Sequence, residues 1–117
     1  MHILNKSLML ATVLLACLSA QVQAAPSERP GMGAIPYSDS DGSGVTFRVW
    51  APNAQGVGIA GTFNNWQPFS TLLSIEGDGI FSLDVPYASA GDGYKIVIIT
   101  PTDTIWKNDP RAMALTN

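Results

Sequence analysis

The amino-acid sequence predicts an all-β fold, an antiparallel β-sandwich, on three observations. The 11 Gly and 8 Pro all fall after residue 24, and no stretch there exceeds eight residues without one of them. Globular helices average about 11–12 residues and tolerate interior Gly and Pro poorly, so an all-α or α/β fold is excluded. Apolar residues then alternate with polar ones in short runs, the pattern of strands with one buried face. Turn signals separate these runs roughly every 8–15 residues, the spacing of sandwich strands.

The elements follow in order. Met1 to Ser7 carries one positive side chain, Lys6, and Leu8 to Leu18 is an 11-residue apolar run broken only by Thr12. Val22-Gln23-Ala24 places small residues at −3 and −1, so residues 1–24 read as a cleaved secretory signal peptide. The run is too short for a bilayer core, which takes about 20 residues. Leu14-Leu15-Ala16-Cys17 also resembles a lipobox, which would anchor the chain as a lipoprotein through Cys17. Either way the expected location is outside the cytoplasm, periplasmic or extracellular. Residues 25–37, rich in Pro, Gly and small residues, read as a flexible leader, and 38–117 as the sandwich domain.

Within that domain, Ser38 to Gly44 is a turn cluster. Val45, Phe47, Val49 and Ala51 alternate with Thr46, Arg48 and Trp50 as a strand. Val57 to Gly61 makes a second strand and Thr71 to Ile75 a third. Phe81, Leu83 and Val85 belong to a fourth, after a hairpin turn at Glu76-Gly77-Asp78-Gly79. Tyr94 to Thr100 is nearly continuous β-branched sequence, and 103–107 is a last short strand. Two sheets would bury Phe47, Val49, Ile59, Phe81, Leu83, Ile96 and Ile98 between them.

Composition also excludes function classes. The single His and single Cys, His2 and Cys17, both precede residue 24. The exported part therefore has no His- or Cys-based catalysis, no zinc site of those ligands and no disulfide, and no cofactor is expected. It carries five Lys/Arg against nine Asp/Glu with no basic cluster, which argues against nucleic acid or an anionic membrane surface as partner. The Asp39-Ser40-Asp41-Gly42 run lacks the further ligands of a calcium loop and reads as a turn. Most acidic residues sit in turns with no apolar surround, so no carboxylate pair is prepared for acid–base work and no catalytic residue is assigned.

The informative side chains are aromatic and amide residues in loops. Gly61-Thr62-Phe63-Asn64-Asn65-Trp66 and Ile105-Trp106-Lys107-Asn108-Asp109-Pro110 each put a large ring in a polar, turn-rich setting. Such a ring either caps the edge of the core or offers a flat apolar face to a sugar, with Asn and Lys as hydrogen-bond donors.

Four segments in order, Val45-Thr46-Phe47-Arg48-Val49-Trp50-Ala51-Pro52-Asn53-Ala54, Gly61 to Trp66, Gly93-Tyr94-Lys95 and Trp106 to Pro110, resemble the family 48 carbohydrate-binding module. That module precedes the barrel in glycoside hydrolase family 13 enzymes such as glycogen branching enzymes and isoamylases. It is also similar to the glycogen-binding domain of the AMP-activated protein kinase β subunit. The resemblance implies an immunoglobulin-like sandwich and an α-glucan partner. It implies sugar contacts at Trp66, Lys95 and Trp106, with Asn64 and Asn65 beside them. Trp50 has no such counterpart and is expected to be structural. The resemblance also implies a final strand past Asp109-Pro110 and, in family 13 enzymes, often only a spacer role. Arg111-Ala112 and Leu115 to Asn117 resemble the run-in to a barrel. The function expected is an exported, non-catalytic α-glucan-binding module. The alternatives are the N-terminal piece of a family 13 hydrolase or branching enzyme, and a structural sandwich for protein contacts.

Overall fold

In the computed structural model, residues 24–109 are described. The expectations for the signal segment, for the lipobox at Cys17 and for the run after Asp109 lie outside them. Seven strands form in chain order: β1 (Gly33–Asp39), β2 (Gly42–Trp50), β3 (Gly56–Gly61), β4 (Ser74–Gly77), β5 (Ile80–Val85), β6 (Tyr94–Ile99) and β7 (Thr104–Lys107). A 3-10 turn, Thr62–Asn64, follows β3. All strand pairs are antiparallel. One sheet has the order β1-β2-β5-β4 and the other β3-β6-β7.

The alternation in β2 and β5 aims Val45, Phe47, Val49, Phe81, Leu83 and Val85 inward. There they meet Val57, Ile59, Tyr94, Ile96 and Ile98 of the second sheet. Phe47 and Ile59 are fully enclosed, while Val49, Leu83 and Ile98 are partly covered. The Phe47 ring meets Tyr94 edge-on at 5.2 Å between centroids and Phe63 at 5.7 Å, locking the two sheets together. The predicted all-β sandwich is thus the observed one, with its core where the alternation places it.

Two expectations need correction. The residues read as a flexible leader are structured: Gly33–Tyr37 forms most of β1, paired to Gly44–Arg48. Pro36 is tolerated because β1 is an edge strand, where a missing N–H breaks no second ladder. Ahead of β1, residues 27–31 lie across the outer face of β2 and β5. Thr46 and Ser82 on that face are therefore buried instead of solvated. The Ser27 amide donates to Ser82 Oγ (2.9 Å), and the Ser27 hydroxyl donates to Asp84 (2.6 Å). The Arg48 guanidinium donates to the carbonyls of Ser27, Arg29 and Gly31 and to Glu76. Arg29 in turn bridges Asp84 and Asp39 and stacks 3.7 Å over the Tyr37 ring. This segment is a polar strap.

The third predicted strand is the second correction. Thr71–Leu73 pairs with β3, through Ile59 N to Thr71 O (3.0 Å) and Leu73 N to Val57 O (2.9 Å). Ser74 onward then joins β5 in the other sheet. The chain crosses between sheets at Leu73–Ser74, so one predicted strand serves both.

Candidate functional site

The outer face of the β3-β6-β7 sheet collects the aromatic loop residues. Strand pairing places Lys95, Val97 and Ile99 on that face of β6, with Ala60 and Gly58 opposite on β3 and Trp106 opposite Val97 on β7. Gly93 shares the face by alternation, two residues before Lys95. The indole of Trp66 lies over it: a Cβ built on Gly93 would meet Trp66 Cζ2 at 3.5 Å. Two residues of strand advance about 7 Å, and strands lie about 4.8 Å apart. Trp66 and Trp106 are therefore anchored about 14 Å apart on one face, with Lys95 between them.

Both indoles are about four-tenths exposed, Trp66 at 41% and Trp106 at 43%, so neither is a plug for the core. Lys95 is exposed, with no ion pair to any described residue. The remaining predicted contacts divide. Asn64 is spent on structure. Its carbonyl accepts from the Gly61 amide (3.0 Å), and its amide donates to Ile59 O and Thr71 Oγ1 (both 2.9 Å). With both amide hydrogens used, it has no donor for a ligand and shapes the loop instead. Asn65 is exposed and left-handed, φ 57°, a conformation Asn tolerates.

Trp66 is also left-handed, at φ 59°, which a bulky side chain adopts only when its surroundings impose it. They do so here. The Trp66 amide donates to Gly61 O (2.9 Å) and Gln67 to Asn64 O (3.2 Å), which turns the chain back sharply. Two consecutive left-handed residues swing the indole out over Gly93. The left-handed pair thus holds an exposed ring at a fixed place over Gly93.

Sequence reasoning missed two further exposed apolar residues in the segment beside this face. Phe69 and Leu72 are 55% and 48% exposed. They lie in the connection from Trp66 to the 71–73 edge segment, which runs over Gly58: a Cβ there would meet Pro68 O at 2.5 Å. Their signal was an apolar ring and a Leu in a Pro/Ser/Thr-rich connection. Trp50, exposed at 64%, lies elsewhere, beside a cleft of about 770 Å³ between the sheets. Lys107 lines that cleft and so faces away from Trp106.

Three carboxylates of the first sheet are held ionised by their partners. Hydrogen bonds from Ser82 and then Arg48 hold the Glu76 carboxyl below its usual range. Burial pushes Asp84 up, but the Ser27 and Thr46 hydroxyls and Arg29 outweigh it and leave it lowered. Arg29 and the Asp41 amide lower Asp39. These groups are held ionised and paired, the reverse of a general acid. Burial, with the bond to Asp109, raises the Tyr94 phenol far above its ordinary value. Among the described residues no group of three His, Cys, Asp or Glu is placed for a metal ion.

Comparison with known proteins places this geometry. Carbohydrate-binding module 48 (isoamylase N-terminal domain) matches residues 31–112. A 1,4-alpha-glucan branching enzyme of Halothermothrix orenii is 42% identical over 83 residues, covering 69% of this chain and 13% of that enzyme. The corresponding enzyme of Lactiplantibacillus plantarum is 49% identical over 69 residues, 58% of this chain and 11% of the enzyme. The chain thus spans a small fraction of these relatives. Two solved structures share the fold. Bacillus subtilis type I pullulanase complexed with maltose has TM-score 0.53 and 19% identity, over 71% of this chain and 11% of that one. The catalytic module of the glycogen-degrading pneumococcal virulence factor SpuA has TM-score 0.54 and 21% identity, over 74% and 13%. With the family match covering most of its length, the chain belongs to the carbohydrate-binding module 48 family, the N-terminal domain type of isoamylase.

Proposed function

We propose that this chain is an exported, non-catalytic module that binds α-1,4- and α-1,6-linked glucan such as glycogen, starch or maltodextrin. The observation that carries the reading is the joint placement of Trp66, Lys95 and Trp106 on one outer sheet face, with Trp66 strained into position. Each indole offers a flat apolar surface to the C–H face of a glucose ring, and the Lys95 ammonium donates to hydroxyls between them. The module tethers and orients polymer and breaks no bond. A shallow site of this kind has micromolar to low millimolar affinity, about −4 to −8 kcal/mol.

A tryptophan-fluorescence titration of the chain with maltoheptaose, against cellohexaose, tests this. The expected result is a saturable change with maltoheptaose only, lost in Trp66→Ala. No change in a folded sample refutes it. That outcome would favour the second reading, a spacer domain of a longer family 13 enzyme of branching or debranching type. The support for that reading is the small share of its relatives that the chain covers, together with the cleft beside the exposed Trp50. Export is tested by N-terminal sequencing of the mature protein from periplasm or medium, with Ala25 expected first. A lipidated Cys17 or retention of Met1 refutes cleavage after Ala24.

A further inference from the structure

We propose that Phe69, on the same loop as the exposed Leu72, is a third apolar contact of the binding face and sets the length of glucan chain the module prefers. The proposal rests on the α-glucan reading above and extends it to a residue outside the two-Trp, one-Lys set. The face has two raised edges. Trp106 stands on the β7 edge. On the opposite side, Leu72 pairs with Gly58 and extends the same sheet by one strand position. Leu72, Gly58, Val97 and Trp106 therefore form one cross-strand row, three strand spacings or about 14 Å wide.

The segment that carries Phe69 lies at the β3 side of this row, with Pro68 and Thr71 on either side of it in sequence both close over Gly58. The loop carrying it is not loosely hung. It runs close enough over Gly58 that a Cβ there would meet Pro68 O at 2.5 Å and Leu72 Cδ2 at 3.3 Å. Its end is stitched to β3 by the Thr71 and Leu73 backbone bonds, and its start by the Trp66 amide on Gly61 O. Phe69 is 55% exposed on an anchored loop that also carries the exposed Leu72 and begins at the exposed Trp66, and grouped exposed apolar side chains mark an interaction surface where a lone one does not. Its neighbours decide the kind of partner. Trp66, Phe69 and Trp106 are interleaved with exposed Gln67, Ser70 and Lys95, so the surface mixes separate apolar plates with hydrogen-bonding groups. That suits a polyhydroxylated chain better than the continuous dry patch of a protein interface. On this proposal a short oligosaccharide is held at Trp66 and Lys95, and a chain of several glucose units extends to Phe69 as well.

The test is calorimetric titration of the chain and its Phe69→Ala variant with maltotriose and maltoheptaose. Phe69→Trp serves as the ring-retaining variant, and thermal melts check folding. The maltoheptaose Kd is expected to rise about tenfold in Phe69→Ala, the scale of one lost stacking contact, and to return towards wild type in Phe69→Trp. The maltotriose Kd is expected to stay within about twofold of wild type. Equal affinities of wild type and Phe69→Ala for maltoheptaose, or equal losses at both lengths, overturn the proposal and leave the α-glucan reading standing. A wild-type chain that binds neither sugar overturns both.

Discussion

Replacing Asn64 with Ala separates a loop-building role from a ligand-contacting one. The change deletes three hydrogen bonds: Gly61 N–H to Oδ1, and Nδ2 to Ile59 O and Thr71 Oγ1. Thr71 keeps its bond to the Tyr87 hydroxyl, so its loss is small. The Gly61 amide and the Ile59 carbonyl belong to buried residues and lose a side-chain partner. Leaving a buried polar group unpaired costs about 1–3 kcal/mol, and Asn64 is only half-buried, so water recovers part of it. The net expectation is about 2 kcal/mol. For a domain of this size each kcal/mol shifts Tm by about 4–8 °C, so Asn64→Ala should melt roughly 8–16 °C below wild type. Circular dichroism melts supply the number. Asn65→Gly, which suits a left-handed residue, should melt within about 3 °C of wild type. If Asn64→Ala melts with the wild type yet loses glucan, Asn64 contacts sugar and the reasoning fails.

Three further outcomes are expected. Arg48→Met strips partners from Glu76 and three strap carbonyls around a side chain only 10% exposed. It should cost about 3 kcal/mol and speed amide exchange across 27–31; unchanged exchange there refutes the strap. Glu76, Asp84 and Asp39 all have lowered folded pKa values, so their contribution is complete above the unfolded carboxylate range near pH 4. It drains as pH falls through the lower folded values. Stability should be flat from pH 7 to about 5 and drop below about 4, with a shallower drop in Asp84→Asn; equal acid slopes in the two proteins contradict this. Gly58→Ala, whose Cβ meets Pro68 O at 2.5 Å, should lower stability by about 1–3 kcal/mol and weaken maltoheptaose binding. Gly56→Ala, with its nearest contact at 3.5 Å, should do neither.

The sequence was most legible where one physical rule governed. Val45, Phe47 and Val49 alternate because one face of their strand packs on the apolar core, so strand, face and core could be read together. Trp66 and Trp106 stood out as large rings in polar, turn-rich segments, and Lys95 was implied by the resemblance to the family motif. Other features depend on contacts distant in sequence. Thr46 and Ser82 look like solvent-facing residues until Ser27 covers them from 19 and 55 positions away. Gly33 and Pro36 disguised an edge strand as a leader. Asn64 resembled a ligand residue because its type was visible and its three partners were not.

The crossing at Leu73–Ser74 has a mechanical consequence. On the proposed function, a polymer held by Trp66 and Phe69 would pull on a segment whose far end is stitched to β3 in one sheet and continues into β4 in the other. A load on that segment would be divided between two ladders, and neither sheet would be unzipped alone from its edge. The core between them, closed by Phe47 against Tyr94, resists the sliding that remains.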